Sequence, residues 1–280
     1  MRKYKYKTAH RIIEINRTLI MAVLNVTPDS FSDGGSYNSV DVAVEKAMEM
    51  IAQGADIIDI GGESTRPGSK PVSFEEELNR TVPVIKALRK VSEVPISIDT
   101  TKSEVALKAL KAGADIINDI SGFKIDPNMK NVAAETGAGS MLMHMRGTPQ
   151  TMQNDLHYDD LFGEIKSYFD DIITDLEKSG ISRDTLMIDP GIGFSKNVEQ
   201  NLQLINHLDQ FLDFNVPILL GTSRKSFIGK VLDIENPSDR VWGTAASIAI
   251  GICRGASVVR VHDISQMAQI AKLSDAILNS

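Results

Sequence analysis

Leu19-Ile20-Met21-Ala22-Val23-Leu24-Asn25 is a run of six apolar residues that ends on an amide. A continuous apolar run of this length is typical of a strand buried on both faces, as in a parallel sheet. Residues 26–35 follow and are rich in Pro, Ser, Asp and Gly, which predicts a long loop of the kind that often carries function. A buried strand, a polar strand end and a loop therefore form one unit.

The same unit recurs along the chain. Short apolar runs predict strands at 20–25, 57–60, 95–99, 116–120, 140–143, 186–189, 217–220 and 257–261. The connections carry apolar residues at helical spacing, as at 103–113, 160–179 and 240–253. Eight strand–helix units without a linker predict an α/β protein with a single (β/α)8 TIM barrel over residues 19–280. A doubly wound open sheet is the alternative, but its Gly-rich turn after the first strand is absent.

The first 18 residues differ from the rest. Residues 3–16 alternate in polarity, which predicts a short N-terminal β-hairpin that plugs one end of the barrel. We therefore expect one domain over residues 1–280, made of the hairpin (1–18) and the barrel (19–280).

Composition narrows the class of protein. The net charge is −7, from 30 Lys and Arg against 37 Asp and Glu, which argues against a nucleic-acid binder. The single cysteine, Cys253, excludes an internal disulfide and a cysteine zinc cluster, and we expect it to be a small buried side chain in a helix. Residues 1–11 are basic but lack an apolar signal core, and no apolar run approaches transmembrane length. A cytoplasmic protein without a membrane partner is expected.

In a barrel of this kind, functional groups lie at the carboxyl ends of the strands and on the loops that follow them. Those positions hold acids, amides and cations, namely Asn25, Thr65, Arg66, Asp99, Asn118, His144, Asp189, Ser223, Arg224, Lys225, Arg260 and His262. Each has an ordinary alternative when taken alone: Asp99 could start a helix, and Arg66 or Lys225 could be solvated. Eight strands that bring such groups to one rim indicate a site.

The groups at this rim fall into two chemical sets. The first consists of donors suited to a polyanion, and in an acidic chain it predicts a phosphorylated substrate: Asn25, Arg66, Arg260 and His262. The second matches the donor and acceptor edges of an aminopyrimidinone ring: Asp99, Asn118, Asp189 and Lys225. Gly191, Gly193 and Gly221 would let the backbone approach a flat ring. No Ser-His-Asp order and no plausible nucleophilic cysteine is present, so covalent catalysis is not expected.

Several longer motifs occur in register across residues 20–262. They are residues 25–35 (NVTPDSFSDGG), 59–68 (DIGGESTRPG), 97–99 (SID), 117–122 (INDISG), 143–145 (MHM), 189–194 (DPGIGF), 221–225 (GTSRK) and 260–262 (RVH). In order and content these motifs resemble the dihydropteroate synthase family. The resemblance implies a transferase of folate biosynthesis that joins (7,8-dihydropterin-6-yl)methyl diphosphate to 4-aminobenzoate with Mg²⁺ and without a covalent enzyme intermediate. It also implies small-molecule substrates, a homodimer formed through outer helices, and competition by sulfonamides.

The resemblance assigns roles position by position. The pterin-binding residues would be Asp99, Asn118, Met143, Asp189, Gly221 and Lys225. The diphosphate-binding residues would be Asn25, Thr65, Arg66, Arg260 and His262, with Asn25 also at the metal. The aminobenzoate channel would be bordered by Phe31, Pro67, Phe194, Gly221, Ser223 and Lys225. The catalytic residues would be Asp99, Lys225, Arg260 and His262, and the loops 26–35 and 64–68 would form a mobile lid over the channel.

Two other classes of function remain open. A pterin-binding barrel that presents methyltetrahydrofolate to a corrinoid partner would share the acid and amide contacts but needs no diphosphate clamp, so Arg66, Arg260 and Lys225 speak against it. A non-catalytic ligand-binding barrel would first lose the loops at 65–67 or 223–225, and both are intact. Release of diphosphate from the pterin substrate separates all three.

Overall fold

A computed structural model describes residues 2–27, 36–64 and 71–280. The chain begins with the predicted hairpin, in which β1 (Tyr4–Lys7) pairs with β2 (Ile12–Ile15) in antiparallel register. The remaining strands form the predicted barrel: β3 (Leu19–Asn25), β4 (Ile57–Gly61), β5 (Ile96–Asp99), β6 (Ile116–Asp119), β7 (Gly139–Met143), β8 (Leu186–Asp189), β9 (Leu219–Leu220) and β10 (Val258–Val261).

The eight strands are parallel and follow the order β8-β7-β6-β5-β4-β3-β10-β9. A parallel bridge between Ile188 and Ile218 joins the two ends of this order and closes the barrel. The seventh barrel strand is shorter than the predicted 217–220, because Pro217 has no N–H to donate to a neighbouring strand. Its carbonyl still accepts a hydrogen bond from the Ile188 N–H at 3.1 Å.

Helices fill the connections. They are α1 (Ser36–Ala52), α2 (Phe74–Val91), α3 (Ser103–Lys111), α4 (Met129–Thr136), α5 (Leu161–Lys178), α6 (Val198–Asn206), α7 (Ser226–Leu232), α8 (Val241–Cys253) and α9 (Ile264–Leu278). Short 3₁₀ turns lie at Arg183–Thr185, Leu208–Phe214 and Pro237–Arg240. Side-chain caps start several of these helices: Asp160 accepts from the Gly163 N–H, and Asn197 forms a capping box with Gln200. Three glycines with φ above +100° turn the chain from a helix into the next strand, Gly54, Gly113 and Gly255.

The barrel strands separate two apolar cores. One face of each strand packs against the helices, as Ile20, Ile58 and Ile98 do. The other face points into the barrel, where its lowest layer consists of Leu19, Met21, Ile57, Ile116, Met141, Met187, Leu219 and Val258. Tyr6 and Ile15 of the hairpin pack against this layer and seal one end of the barrel, as predicted.

Strand alternation then decides which residues reach the other end. Successive side chains of a strand point to opposite faces, so residues two and four places beyond the inward layer also point inward. They include Asn25, Asp59, Gly61, Asn118, Met143, Asp189, Gly221, Arg260 and His262. Asp99 points inward as well, because it follows Ile98, which faces the helices. The polar strand ends therefore converge on the open end of the barrel.

Two further observations concern the helices. Cys253, the last residue of α8, is exposed, so the expectation of a buried side chain was wrong. The buried stripe of α8 runs through Ile248 and Ile252, and the residue after Ile252 turns to solvent. In the described part of the chain, no helix combines the length and the apolar character needed to cross a bilayer.

Candidate active site

Four inward side chains form one hydrogen-bonded group, which we call the carboxylate–arginine cluster: Asp59, Asp99, Asn118 and Arg260. Arg260 donates from Nε to Oδ2 of Asp59 and from Nη2 to Oδ2 of Asp99, both at 2.7 Å. Asn118 Nδ2 donates to Oδ2 of Asp59 at 3.2 Å. Both carboxyl groups are buried, and the guanidinium between them supplies the opposite charge that buried carboxylates need.

The protonation of Asp99 is strongly perturbed by its surroundings. Burial raises the pKa of Asp99 to about 7, the nearby Arg260 guanidinium opposes that shift, and the negative charge of Asp59 adds to it. A carboxyl group whose pKa lies near neutrality at the end of a barrel strand is a candidate functional group.

Asp59 was missed as a candidate site residue, although it holds Arg260 and Asn118 together. It lies inside the apolar run 57–60, which resembles a wholly buried strand. The available signal was alternation: once Ile57 is placed inside the barrel, Asp59 must point inward as well.

A second polar pair faces the carboxylate–arginine cluster across the barrel mouth. Asp189 accepts a hydrogen bond from the Gly191 N–H at 2.7 Å. Burial raises the pKa of Asp189, and the positive charge of Lys225 opposes the shift. Burial likewise lowers the pKa of Lys225 to about 8 against the effect of Asp189. The Lys225 ammonium donates to the Ile192 carbonyl and lies 4.6 Å from the centre of the Phe194 ring.

Gly221 lies between these groups. A Cβ at this position would lie 3.7 Å from Lys225 Nζ, 3.9 Å from Arg260 Cβ and 4.0 Å from Asp189 Oδ2. The missing side chain therefore leaves space in the middle of the polar groups, as a flat ring would need.

One side of the mouth is apolar. Ile120, Met143, Met145 and Met152 form a small buried cluster, the methionine wall, and Phe194 packs against it. Sequence reasoning assigned roles to Met143 and Phe194 but not to the other three, all of which lie beyond the strand ends. Methionine side chains adapt to a flat partner, so this wall is suited to the face of a planar ring.

Two of the predicted glycines, Gly191 and Gly193, lie in the turn after β8, and the structure gives a different reason for them than approach to a ligand ring. Gly191 has φ of +74°, and a Cβ there would lie 2.0 Å from the His144 carbonyl oxygen. Gly193 has φ of +82°, and its Cβ would lie 2.9 Å from Cδ of Lys225. Both glycines are required by close approach to the protein's own atoms, whereas Gly221 faces the open space.

The residues that follow β9 and β10 form two separate hydrogen-bonded pairs, Ser223 with His262 and Arg224 with Asp263. The Ser223 hydroxyl lies 3.0 Å from Nδ1 of His262 and accepts from the His262 N–H at 3.2 Å, so these two residues meet at the rim. Arg224 instead donates from Nε to Asp263 at 3.1 Å. The structure therefore turns Arg224 away from the cluster.

His144 also turns away from the barrel mouth, although its position at a strand end made it a candidate. It follows the inward Met143, so its side chain lies on the outer face of the strand. There it is buried, packs edge-on against Tyr168 with the ring centres 4.8 Å apart, and lies 3.0 Å from Lys196 Nζ.

Asn25 ends β3 beside the cluster. It is paired with Gly61, which is in turn paired with Asp99 on the next strand. A Cβ on Gly61 would lie 3.8 Å from both Asn25 Oδ1 and Asp99 Oδ2, so the amide and the carboxylate flank the same space. Within residues 2–27, 36–64 and 71–280 there is no group of three or more His, Cys, Asp or Glu side chains that could hold a metal. An amide oxygen is nevertheless a suitable Mg²⁺ ligand, because Mg²⁺ is commonly held by few protein oxygens together with substrate phosphates.

Four predicted site residues lie outside the described residues: Phe31, Thr65, Arg66 and Pro67. The same holds for most of the two predicted lid loops, 26–35 and 64–68. Their assignments stay predictions.

Comparison with known proteins agrees with this geometry. Residues 21–262 match the family model described as pterin binding enzyme. The chain is 52% identical over 261 residues to the dihydropteroate synthase of Synechocystis, covering 93% of this chain and 90% of that one.

Solved structures match the whole fold. A Yersinia pestis dihydropteroate synthase in complex with a sulfonamide drug superposes with a TM-score of 0.92 at 41% identity, covering 99% of this chain and 100% of that one. A Xanthomonas albilineans dihydropteroate synthase with 4-aminobenzoic acid gives a TM-score of 0.93 at 39% identity, with full coverage of both chains at 100%. The chain belongs to the pterin-binding enzymes and, among them, to the dihydropteroate synthase family.

Proposed function

We propose that this protein joins (7,8-dihydropterin-6-yl)methyl diphosphate to 4-aminobenzoate, giving 7,8-dihydropteroate and diphosphate in folate biosynthesis. The observation that carries the proposal is the carboxylate–arginine cluster, in which Arg260 lies 2.7 Å from both Asp59 and Asp99. It supplies, at one barrel mouth, acceptors for a nitrogen-rich ring and a cation beside a leaving anion.

The pterin ring is assigned to the space in front of Gly221. Asp189 and Asn118 would bind the polar edge of the ring, and Lys225 would donate to its carbonyl side. The methionine wall, with Met143 nearest the strand end, would cover one face. A carboxylate that accepts two N–H bonds from a guanidine-like edge must be ionised, so Asp189 would act as the anion.

Asp99 is assigned to the carbon from which diphosphate leaves. As the C–O bond breaks, that carbon becomes cationic, and an ionised carboxylate at this position would stabilise the developing charge. Arg260 holds the Asp99 carboxylate in place through Nη2. The aromatic amine then attacks the carbon, and the protein contributes mainly orientation and shielding.

The diphosphate is assigned to Arg260 and His262 with Asn25 and the loop residues Thr65 and Arg66. Arg260 uses Nε and Nη2 for the two carboxylates, so Nη1 is the nitrogen that we assign to the anion. Mg²⁺ would be held by the Asn25 amide oxygen and the phosphate oxygens, where it would neutralise charge on the departing diphosphate.

The aminobenzoate is assigned to the space bordered by Phe194 and Ser223, with Gly221, Lys225, Phe31 and Pro67. The Lys225 ammonium lies against the Phe194 ring, so a second aromatic ring with an anionic group would find both a stacking partner and a cation here. Sulfonamides, which share the aromatic amine and an acidic group, would compete for the same space.

A homodimer is proposed through the outer helices of the C-terminal half. Large apolar side chains are exposed there, with Trp242 at 76%, Leu273 at 62% and Ile277 at 63% of their full exposure. Exposed apolar patches of this kind mark protein–protein interfaces. Leu273→Glu should shift the sedimentation coefficient from dimer to monomer, whereas Val42→Glu at the exposed Val42 of α1, in the N-terminal half, should not. A wild-type monomer at micromolar concentration would contradict the dimer.

The reaction itself is tested by incubating the protein with the pterin diphosphate, 4-aminobenzoate and Mg²⁺ and measuring released diphosphate and dihydropteroate. Release that requires 4-aminobenzoate is expected, and no release would contradict the proposal.

Arg260→Ala should weaken binding of the pterin diphosphate more than binding of a bare pterin, because only the former carries the anion. Equal losses would show that the anion lies elsewhere. A pterin–protein adduct found by mass spectrometry during turnover would contradict the absence of a covalent intermediate.

A further inference from the structure

Lys196 lies directly behind the turn that carries Phe194. Its side chain is 3% exposed, which is rare for a lysine, and it was not among the predicted site residues. The ammonium donates to the Phe194 carbonyl and to Nδ1 of His144, each at 3.0 Å. A Cβ on Gly191 would lie 3.3 Å from the same Nζ. The ammonium is therefore enclosed by the turn itself.

The partner that receives this ammonium is fixed in place. Burial holds the pKa of His144 well below its usual range, so its ring is neutral and Nδ1 can accept the hydrogen bond. The ring packs edge-on against Tyr168, whose hydroxyl donates to the Met143 carbonyl at 2.9 Å. Lys196 thus connects the Phe194 turn to His144 and Tyr168, which are packed and hydrogen-bonded, rather than to a mobile surface group.

Lys196 and Asp189 both lie against Gly191: a Cβ there would lie 3.3 Å from Lys196 Nζ, and the Gly191 N–H donates to Asp189 at 2.7 Å. Burial lowers the pKa of Lys196 to about 7; the negative charge of Asp189 opposes this shift, and the positive charges of Lys225 and Arg146 add to it. In return, Lys196 is one of the groups that lower the pKa of Asp189, together with Lys225, the Gly191 N–H and Arg260. Two lysines thus lower the pKa of Asp189: Lys225 at the barrel mouth and Lys196 behind the turn.

We propose that Lys196 is a positioning residue for both ring subsites. By holding the Phe194 carbonyl it sets the aromatic ring against which Lys225 and the aminobenzoate lie, and by its charge it keeps Asp189 ionised for the pterin. The inference rests on the proposed function, since it gives Phe194 and Asp189 the roles assigned above.

Two substitutions separate the two effects. Lys196→Met removes the hydrogen bonds and the charge while keeping the apolar stem, and it should raise the KM for 4-aminobenzoate about tenfold. It should also raise the pH midpoint for binding of a bare pterin, because Asp189 loses one of the cations that lower its pKa. Lys196→Gln keeps a donor for the Phe194 carbonyl but no charge. It should therefore raise the pH midpoint while changing the KM for 4-aminobenzoate little.

Lys130→Met is the matched control. It makes the same chemical change at a lysine of α4 that pairs with Asp175 at 3.3 Å, and both quantities should stay unchanged. Pterin binding is measured by calorimetry between about pH 5 and pH 8, and folding of each variant is checked by thermal unfolding.

The outcomes are distinct. A folded Lys196→Met with an unchanged pH midpoint and an unchanged KM for 4-aminobenzoate would overturn the proposal. Loss of melting temperature and kcat with no shift of the midpoint would show a merely structural role and would also overturn it. If Lys196→Met does not fold, Lys196→Gln decides through the midpoint alone. Absence of wild-type turnover would contradict the proposed function instead, and the comparison of bare-pterin binding would still test Lys196.

Discussion

Arg260 and Asp99 meet through one hydrogen bond, Nη2 to Oδ2 at 2.7 Å, where β10 and β5 end at the open mouth of the barrel. The guanidinium lowers the pKa of Asp99, yet burial still leaves that pKa at about 7. The pair therefore combines a permanent cation with a carboxyl group that changes its charge near neutral pH, and this combination gives the first two predictions.

Asp99 should make the folded protein less stable as pH rises. The pKa of Asp99 is about 7 in the folded protein against a reference value of 3.8, so the folded state retains a proton that the unfolded state releases between these values. This group thus lowers the free energy of unfolding as pH rises from about 4 to about 7. Asp99→Asn should gain stability relative to wild type over that range in urea titrations. A pH-independent difference between the two proteins would contradict this.

Asp59→Asn should shift the pH dependence of activity. The negative charge of Asp59 raises the pKa of Asp99, so its removal should move the acid limb of kcat/KM to lower pH. The same change should cost about 1.5–3 kcal/mol in the free energy of unfolding, because a charged hydrogen bond to Arg260 is weakened. Asp213→Asn, at an exposed carboxylate, should change neither quantity. An acid limb that moves to higher pH would contradict the role of Asp59.

Gly191→Ala should be much more costly than Gly180→Ala. Both glycines have positive φ, +74° and +86°, but only the first would place a Cβ 2.0 Å from a backbone oxygen, whereas the second has nothing within 4 Å. We expect a loss of about 1–2 kcal/mol at Gly180 and about 2–5 kcal/mol at Gly191, measured by chemical denaturation. Equal losses would show that the turn can move away from His144.

The hydroxyl groups of Tyr6 and Tyr168 should have opposite effects. The buried Tyr6 hydroxyl has no hydrogen-bond partner in the described part of the chain, so Tyr6→Phe should raise the free energy of unfolding by about 1 kcal/mol. The Tyr168 hydroxyl donates to the Met143 carbonyl at 2.9 Å and lies 3.1 Å from the Ser121 carbonyl, so Tyr168→Phe should lower the free energy of unfolding by about 1–3 kcal/mol. Because Tyr6 lies at the sealed end of the barrel, Tyr6→Phe should keep full activity. A destabilising Tyr6→Phe would reveal an unseen partner.

The architecture was largely predictable from the sequence because each barrel strand is a continuous apolar run followed by polar residues. The ends of the runs at Asn25, Asp99 and Asp189 are the residues that face the barrel mouth. The sequence could not predict which of these residues bond to one another, because Arg260 meets Asp59 and Asp99 only once the barrel is closed. Arg260 lies 201 positions from Asp59 and 161 positions from Asp99 in the sequence.

Where prediction failed, the reason was the direction of a side chain rather than its position. His144 follows a strand run but points outward, and Lys196 lies in a loop but is buried behind Phe194, where it meets His144. Alternation could have placed His144 once Met143 was known to face the barrel. No such rule exists for Lys196, because the turn after β8 has no regular period.

The closure of the barrel has a consequence for the width of the ring site. β3 and β4 pair over five positions, whereas β8 and β9 are joined by the single bridge between Ile188 and Ile218. A junction with so few backbone hydrogen bonds opens at lower free energy than a long ladder. Asp189 lies on one side of this junction and Gly221 on the other, so we expect the two sides of the proposed pterin site to separate more easily than the strands that hold Asp59 and Asp99.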